Sequence, residues 1–149
     1  MLQEGFSFFK GNRKRRQSAV DTKLKNQNIS NFLKKAEKSL LACKVLYKQK
    51  FFEDSLSKAY YVYLYFAKAL LISKGIVVKS HKAAGNQFAL YFVKTGIVDR
   101  KYSGYFSMLS KKRLLVDYEE VFLVNKILAD EALEIVKEFR KEVYRVLKK

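Results

Sequence analysis

The sequence predicts an all-α protein, an antiparallel bundle of about five helices in which four form the core and one is added to it, and three observations carry that expectation. None of the 149 residues is proline, so no position lacks the backbone N–H that a helix uses. Lys, Leu, Ala and Glu, which lose little side-chain freedom in a helix, are abundant. Apolar side chains recur every three or four residues over long stretches, the spacing that gathers them on one helical face. A chain of this length buries most of its unfolded surface in a single domain. Its composition, 49% hydrophobic with 12 Phe and 10 Tyr, provides the core.

Taken in order, the first helix is expected to start after Ser30, a candidate N-cap, and to run to about Lys48, with Phe32, Ala36, Leu40, Cys43 and Tyr47 on one face and lysines on the other. The second begins near Asp54 or Ser55 and reaches Lys74. Gly75 follows it as the residue that accepts a left-handed turn. Its segment Ala59 to Ala67 is apolar almost all round and must be covered on several sides, at the centre of the bundle or at a contact between two copies. The third follows Ser80 as N-cap and ends before Gly96, with Ala84, Phe88, Tyr91 and Phe92 inward. A fourth starts at Asp99. The last covers about Lys126 to Leu147 and turns Leu128, Ala132, Ile135, Phe139, Val143 and Val146 inward. Tyr118 to Val124 reads equally as an extended connector or as a continuation of either neighbouring helix; Val121-Phe122-Leu123-Val124 is strand-like in composition but has no partner strand.

The net charge is +17, from 31 Lys and Arg against 14 Asp and Glu. Such an excess favours polyanionic partners and does not bear on the fold. Residues 1–28 hold seven basic and two acidic side chains, net +5. They lack a sustained apolar period, so they read as a flexible or loosely packed basic arm ahead of a helical domain over 29–149. Its peak, Arg13-Lys14-Arg15-Arg16, is either a phosphate-binding tail or a solvated extension. No stretch approaches the ~20 apolar residues that a membrane span needs, and the tetrabasic cluster stands where a secretory cleavage site would fall. A cytoplasmic protein is expected. With one cysteine, Cys43, and one histidine, His81, the chain assembles neither an internal disulfide nor a metal site, and no cofactor is implied.

Within the fourth helix, Tyr102, Phe106, Leu109 and Arg113 fall on one stripe, so the guanidinium shares a face with three core-type side chains. A charge in that position needs a partner or a function. Asp117, one turn on, is the natural partner, and Tyr118 follows it. The plain reading is a structural ion pair. Short connections at 75–79 and 95–98 make neighbouring helices antiparallel, which brings His81, at the start of the third helix, to the end of the bundle that holds Arg113, Asp117 and Tyr118. A lone histidine beside an N-cap is most often a capping or packing residue. In one cleft with a guanidinium, a carboxylate and a phenol, an imidazole can also bind phosphate and move protons.

Several segments in order resemble the HEPN superfamily, in particular its small stand-alone prokaryotic members. They are Ala36-Glu37-Lys38-Ser39-Leu40, Phe52 to Tyr61 with its Asp54, Ser57, Lys58, Ala59, Tyr60 and Tyr61, Leu70 to Gly75, Ser80-His81-Lys82, Phe92 to Gly96, and Arg113 with Asp117-Tyr118. The resemblance covers roughly residues 30 to 145. It implies a helical bundle that dimerises, RNA or nucleotide as ligand, and a toxin-like role beside a minimal nucleotidyltransferase. Family ribonucleases work without metal and carry an Arg followed after four to six residues by His. Here Arg113 matches the Arg, but Tyr118, Glu119 and Glu120 stand where that His would be, a departure that counts against cleavage. The resemblance further implies Tyr118 as the tyrosine that a partner nucleotidyltransferase would adenylylate. Alternatives are a non-catalytic nucleic-acid-binding module and a scaffold subunit of the nucleotidyltransferase.

Overall fold

In the computed structural model, which describes residues 2–119 and 123–148 and, near the N-terminus, the side chains of Ala19 and of Asp21 onward, five α-helices follow one another without a strand among the described residues. They are α1 (Leu2–Lys48), α2 (Phe52–Ser73), α3 (His81–Phe88), α4 (Lys101–Tyr118) and α5 (Lys126–Leu147). The apolar α2 takes the centre and packs against each of the other four. Its Leu56, Ala59, Tyr60, Tyr63, Phe66 and Leu70 are fully buried. Tyr63 lies flat on Phe139 of α5, ring centroids 3.8 Å apart, and its hydroxyl donates to the carbonyl of Tyr102 at 2.6 Å. A phenol is tolerated in the core because its one polar atom is satisfied.

The ends of the helices follow local chemistry. Ser80 accepts from the N–H of Ala83 at 3.0 Å, and Asn125 accepts from that of Leu128 at 2.9 Å, each satisfying a first-turn donor. Gly75, at φ 77°, ends α2: its N–H donates to Ile72 and that of Ile76 to Leu71, which closes the last carbonyls on themselves. Between α1 and α2 the same turn is made by Lys50 at φ 66°, a left-handed conformation that costs a non-glycine residue about 1 kcal/mol.

Besides α2, which starts at Phe52 and not near Asp54 or Ser55, three regions differ from the sequence-based expectation. The first helix does not start at Ser30. α1 passes through it from Leu2, because no proline or glycine interrupts residues 12–48 and elongating an existing helix needs no new nucleus. The side chains of Arg13, Lys14, Arg15 and Arg16 lie outside those described. α4 starts at Lys101, whose N–H is capped by Asp99 Oδ1 at 2.8 Å. After Phe88 the chain widens into one π-helical turn, Ala89–Val93. That turn overrides the expectation for Tyr91, which is exposed and not inward, while Phe92 keeps its buried place: a wider turn rotates the residue three positions on away from the core. Of the stretch from Tyr118 to Val124, α4 ends at Tyr118, Glu119 is extended and Val124 is buried; Val121 and Phe122 lie outside the described residues. No helix among those described is long and apolar enough to cross a membrane.

Candidate functional site

Tyr102, Phe106 and Leu109 are buried along one face of α4, and Arg113 continues that stripe with a side chain only 14% exposed. Two tyrosines of α2 receive it. The guanidinium carbon lies 4.7 Å from the centroid of the Tyr60 ring and 5.7 Å from that of Tyr61, and Nη1 donates to the Tyr61 hydroxyl at 3.5 Å. A cation that close to two ring faces is held by their quadrupoles, which leaves its donors less committed than a carboxylate cage would. Nη1 also donates to Asp117 Oδ2 at 2.9 Å, the i to i+4 pair expected from the sequence. Nε is buried without a partner. The hydroxyl of Tyr60 is likewise buried without a partner at hydrogen-bonding geometry, with Ser110 nearby. Burial pushes the Tyr60 phenol up, against the pull of the Arg113 charge.

His81 is the first residue of α3 and leans on the same two rings, its centroid 5.7 Å from Tyr60 and 6.0 Å from Tyr61. Burial, then the charge of Arg113, then that of Lys68 depress its pKa below the ordinary value. This shift favours the neutral imidazole, which has one donor and one acceptor nitrogen to offer. α3 and α4 wall an open cleft of about 690 Å³ whose floor is Tyr60 and Phe106 and whose rim carries His81, Ser110, Lys111 and Arg113. Such a set suits an anion with an attached flat ring: the cations hold charge, and the serine and imidazole hold hydroxyls. Among the described residues no three of His, Cys, Asp and Glu converge on one point.

Of the residues singled out from the sequence, the fold brings Arg113, Asp117 and His81 together. Tyr118 stands apart at the last position of α4, 77% exposed and outside the cleft lining. Cys43 is buried in the core, its sulfur 3.2 Å from the carbonyl of Ser55, and burial raises its pKa. The residues that sequence reasoning missed are Tyr60 and Tyr61 as the seat of the arginine. Their signal was present in the adjacent pair itself: Tyr60 lies on the buried side of α2, and Tyr61, a step round the helix, is only half-buried.

Comparison with known proteins agrees with this architecture. The HEPN domain family matches residues 29–147, a span that starts within α1 and includes α2 through α5. A Methanocaldococcus jannaschii protein bearing the name of a candidate toxin is 31% identical over 122 residues, covering 82% of this chain and 88% of its own. Another protein of that organism, named in the same way, is 33% identical over 100 residues, 67% of this chain and 68% of its own. A UPF0332 protein of Pyrococcus horikoshii is 34% identical over 79 residues, 53% and 56% of the two chains.

Proposed function

The chain belongs to the HEPN family, and from that premise we propose that it is the RNA- or nucleotide-binding component of a toxin-like module in which a minimal nucleotidyltransferase is its partner. One observation carries the reading. Arg113 is drawn onto the faces of Tyr60 and Tyr61 at the edge of an open cleft, beside His81, with only Asp117 against it. A phosphate reaches that guanidinium from the cleft, the half-buried Tyr61 ring beside it is open to a base, and His81 is within reach of a ribose hydroxyl. The names of the relatives support the toxin-like part. Two copies of the chain would bring two such clefts into one particle, as expected of a homodimer.

Binding, and not cleavage, is the chemistry this set supports best. In the ribonucleases that the sequence resembles, a histidine follows the arginine on the same segment, whereas here Tyr118 and Glu119 follow it and His81 comes from another helix. Tyr118 is the place for regulation. At 77% exposure on the end of α4 its hydroxyl is open to a partner enzyme that transfers a nucleotidyl group.

The test uses labelled single-stranded RNA with the purified chain in excess chelator, alone and with Arg113→Ala. Wild-type binding that the variant loses, with the RNA intact in both, is the expected result. RNA cut by the wild type and spared by Arg113→Ala would replace binding with catalysis, and equal binding by both would remove Arg113 from the site. Co-expression with the nucleotidyltransferase followed by mass spectrometry addresses the partner: a nucleotidyl adduct on Tyr118 is expected, and an unmodified Tyr118 argues against it.

A further inference from the structure

A second pair of cations lies where α1 crosses the half-buried rings of α2. Lys35 Nζ sits 5.4 Å from the centroid of the Tyr65 ring and 5.9 Å from that of Phe32, and Lys68 Nζ sits 5.7 Å from Phe32. The two rings are 6.4 Å apart and tilted by 31°. Neither lysine takes part in an ion pair among the described residues. Nor does either have a carboxylate three or four positions away on its own helix, where the pairing partner of a helical lysine normally stands. Burial, and after it the charge of Lys35, hold the Lys68 ammonium below its ordinary pKa. Two like charges set on ring faces without a counter-ion repel each other, and an anion between them relieves the repulsion.

This pair is continuous with the Arg113 cleft. The Tyr65 ring is 6.1 Å from that of Tyr61, which is 6.0 Å from His81 and accepts from Arg113. The charge of Lys68 reaches His81 as well. Cation, ring, ring and paired cations thus follow one another along one side of α2.

We infer that Lys35 and Lys68, seated on Phe32 and Tyr65, are a second phosphate-binding subsite, and that with the Arg113 cleft they form a single track for single-stranded RNA. This rests on the reading that the cleft takes an RNA phosphate. The strand must be single, because only an unstacked base can reach the faces of Tyr61 and Tyr65 between the two phosphate positions.

Fluorescence anisotropy over a salt series, with the full chain, tests the track using a short labelled oligoribonucleotide and a labelled dinucleotide. Lys35→Gln/Lys68→Gln is expected to weaken oligonucleotide binding roughly tenfold and to flatten the slope of log K against log salt by about 1.4, at about 0.7 for each lost contact to a single strand. Dinucleotide binding stays at the wild-type level, and Lys35→Arg/Lys68→Arg retains the oligonucleotide. Lys44→Gln/Lys141→Gln removes the same charge from the groove between α1 and α5 and is expected to change the slope by less than half as much. A slope unchanged by Lys35→Gln/Lys68→Gln, or lowered equally by the control pair, overturns the track and leaves the cleft reading standing. Polyglutamate of equal charge bound as tightly as the RNA overturns it too. Dinucleotide binding that survives Arg113→Ala instead removes the cleft reading, and no binding of RNA by the wild type removes both.

Discussion

Two clusters of arginine, carboxylate and tyrosine stand out among the described residues, and they are built for different ends. Arg140 of α5 donates through Nε to Glu37 of α1 at 2.6 Å; Tyr144 donates to the same carboxylate at 3.0 Å, and its ring lies 5.2 Å from the guanidinium. The carboxylate comes from 103 residues away, so the cluster clamps α1 to α5. In the Arg113 cluster the carboxylate, Asp117, sits one turn along the same helix and joins no two elements. Its two phenols belong to α2, one offering a ring face and the other a 3.5 Å contact, and both Arg113 Nε and the Tyr60 hydroxyl are left without hydrogen bonds. Groups that close on one another across helices hold a fold together. Groups gathered at an open cleft and left partly unsatisfied are ready for a ligand.

The sharpest way to break this contrast is Arg113→Ala. RNA affinity is expected to fall roughly 10- to 100-fold, the worth of about 1.5–3 kcal/mol for a charged hydrogen bond to phosphate. Stability should fall by about 1–2 kcal/mol, from an i,i+4 pair at about 0.2–0.5 kcal/mol and the ring contacts at about 0.5–1 kcal/mol. A thermal melt that fell by ten degrees or more would make this cluster mainly structural. Glu37→Ala is the mirror experiment. It should lower stability by about 1 kcal/mol, a modest figure because both partners are more than a third exposed, and so lower the Tm by a few degrees with RNA affinity unchanged. Loss of RNA binding by Glu37→Ala would erase the distinction.

A smaller effect separates the ring of Tyr60 from its hydroxyl. Tyr60→Phe removes a buried hydroxyl that has no partner and keeps the face beneath Arg113, so stability should hold or rise by up to about 1 kcal/mol with RNA affinity retained. A Tm several degrees lower in calorimetry would mean that the hydroxyl is bonded after all.

How much of this was readable in the chain differs between the clusters for a physical reason. The Arg113 stripe and its pairing with Asp117 follow from helical spacing alone, and the short connections at 75–79 and 95–98 carried His81 to the same end. The pairing of Glu37 with Arg140 is set by how α1 packs on α5, which no local pattern encodes. Tyr60 and Tyr61 were visible as residues but not as a seat, because an all-round apolar helix does not say which neighbour each side receives. The start of α1 was misplaced at Ser30 because a good N-cap residue costs only a fraction of a kcal/mol, about 0.5, inside a helix that is already growing, too little to stop it. Tyr91 was misplaced because a π-turn shifts the register, and its composition carries no mark of that.

The smallest expected effect lies with His81, and it reports on the Arg113 cluster without any ligand. As the only histidine it gives one unambiguous imidazole signal in a proton NMR titration. Burial first, and then the charges of Arg113 and Lys68, make the protonated ring unfavourable in the fold, so its midpoint should fall below the unfolded value of about 6.5. Above pH of about 6.5 the ring is neutral folded and unfolded, and it contributes nothing; as pH falls below that value the unfolded chain takes the proton first, and the fold loses stability until the lower native midpoint is passed. Arg113→Ala removes the second of the three causes and should move the midpoint back up while leaving the burial contribution in place. A midpoint identical in wild type and Arg113→Ala would show that the guanidinium does not face the imidazole. RNA phosphate in the cleft should act in the same upward direction, so that binding takes up a proton and tightens as the pH is lowered toward 6; affinity independent of pH across that range would place the phosphate away from His81.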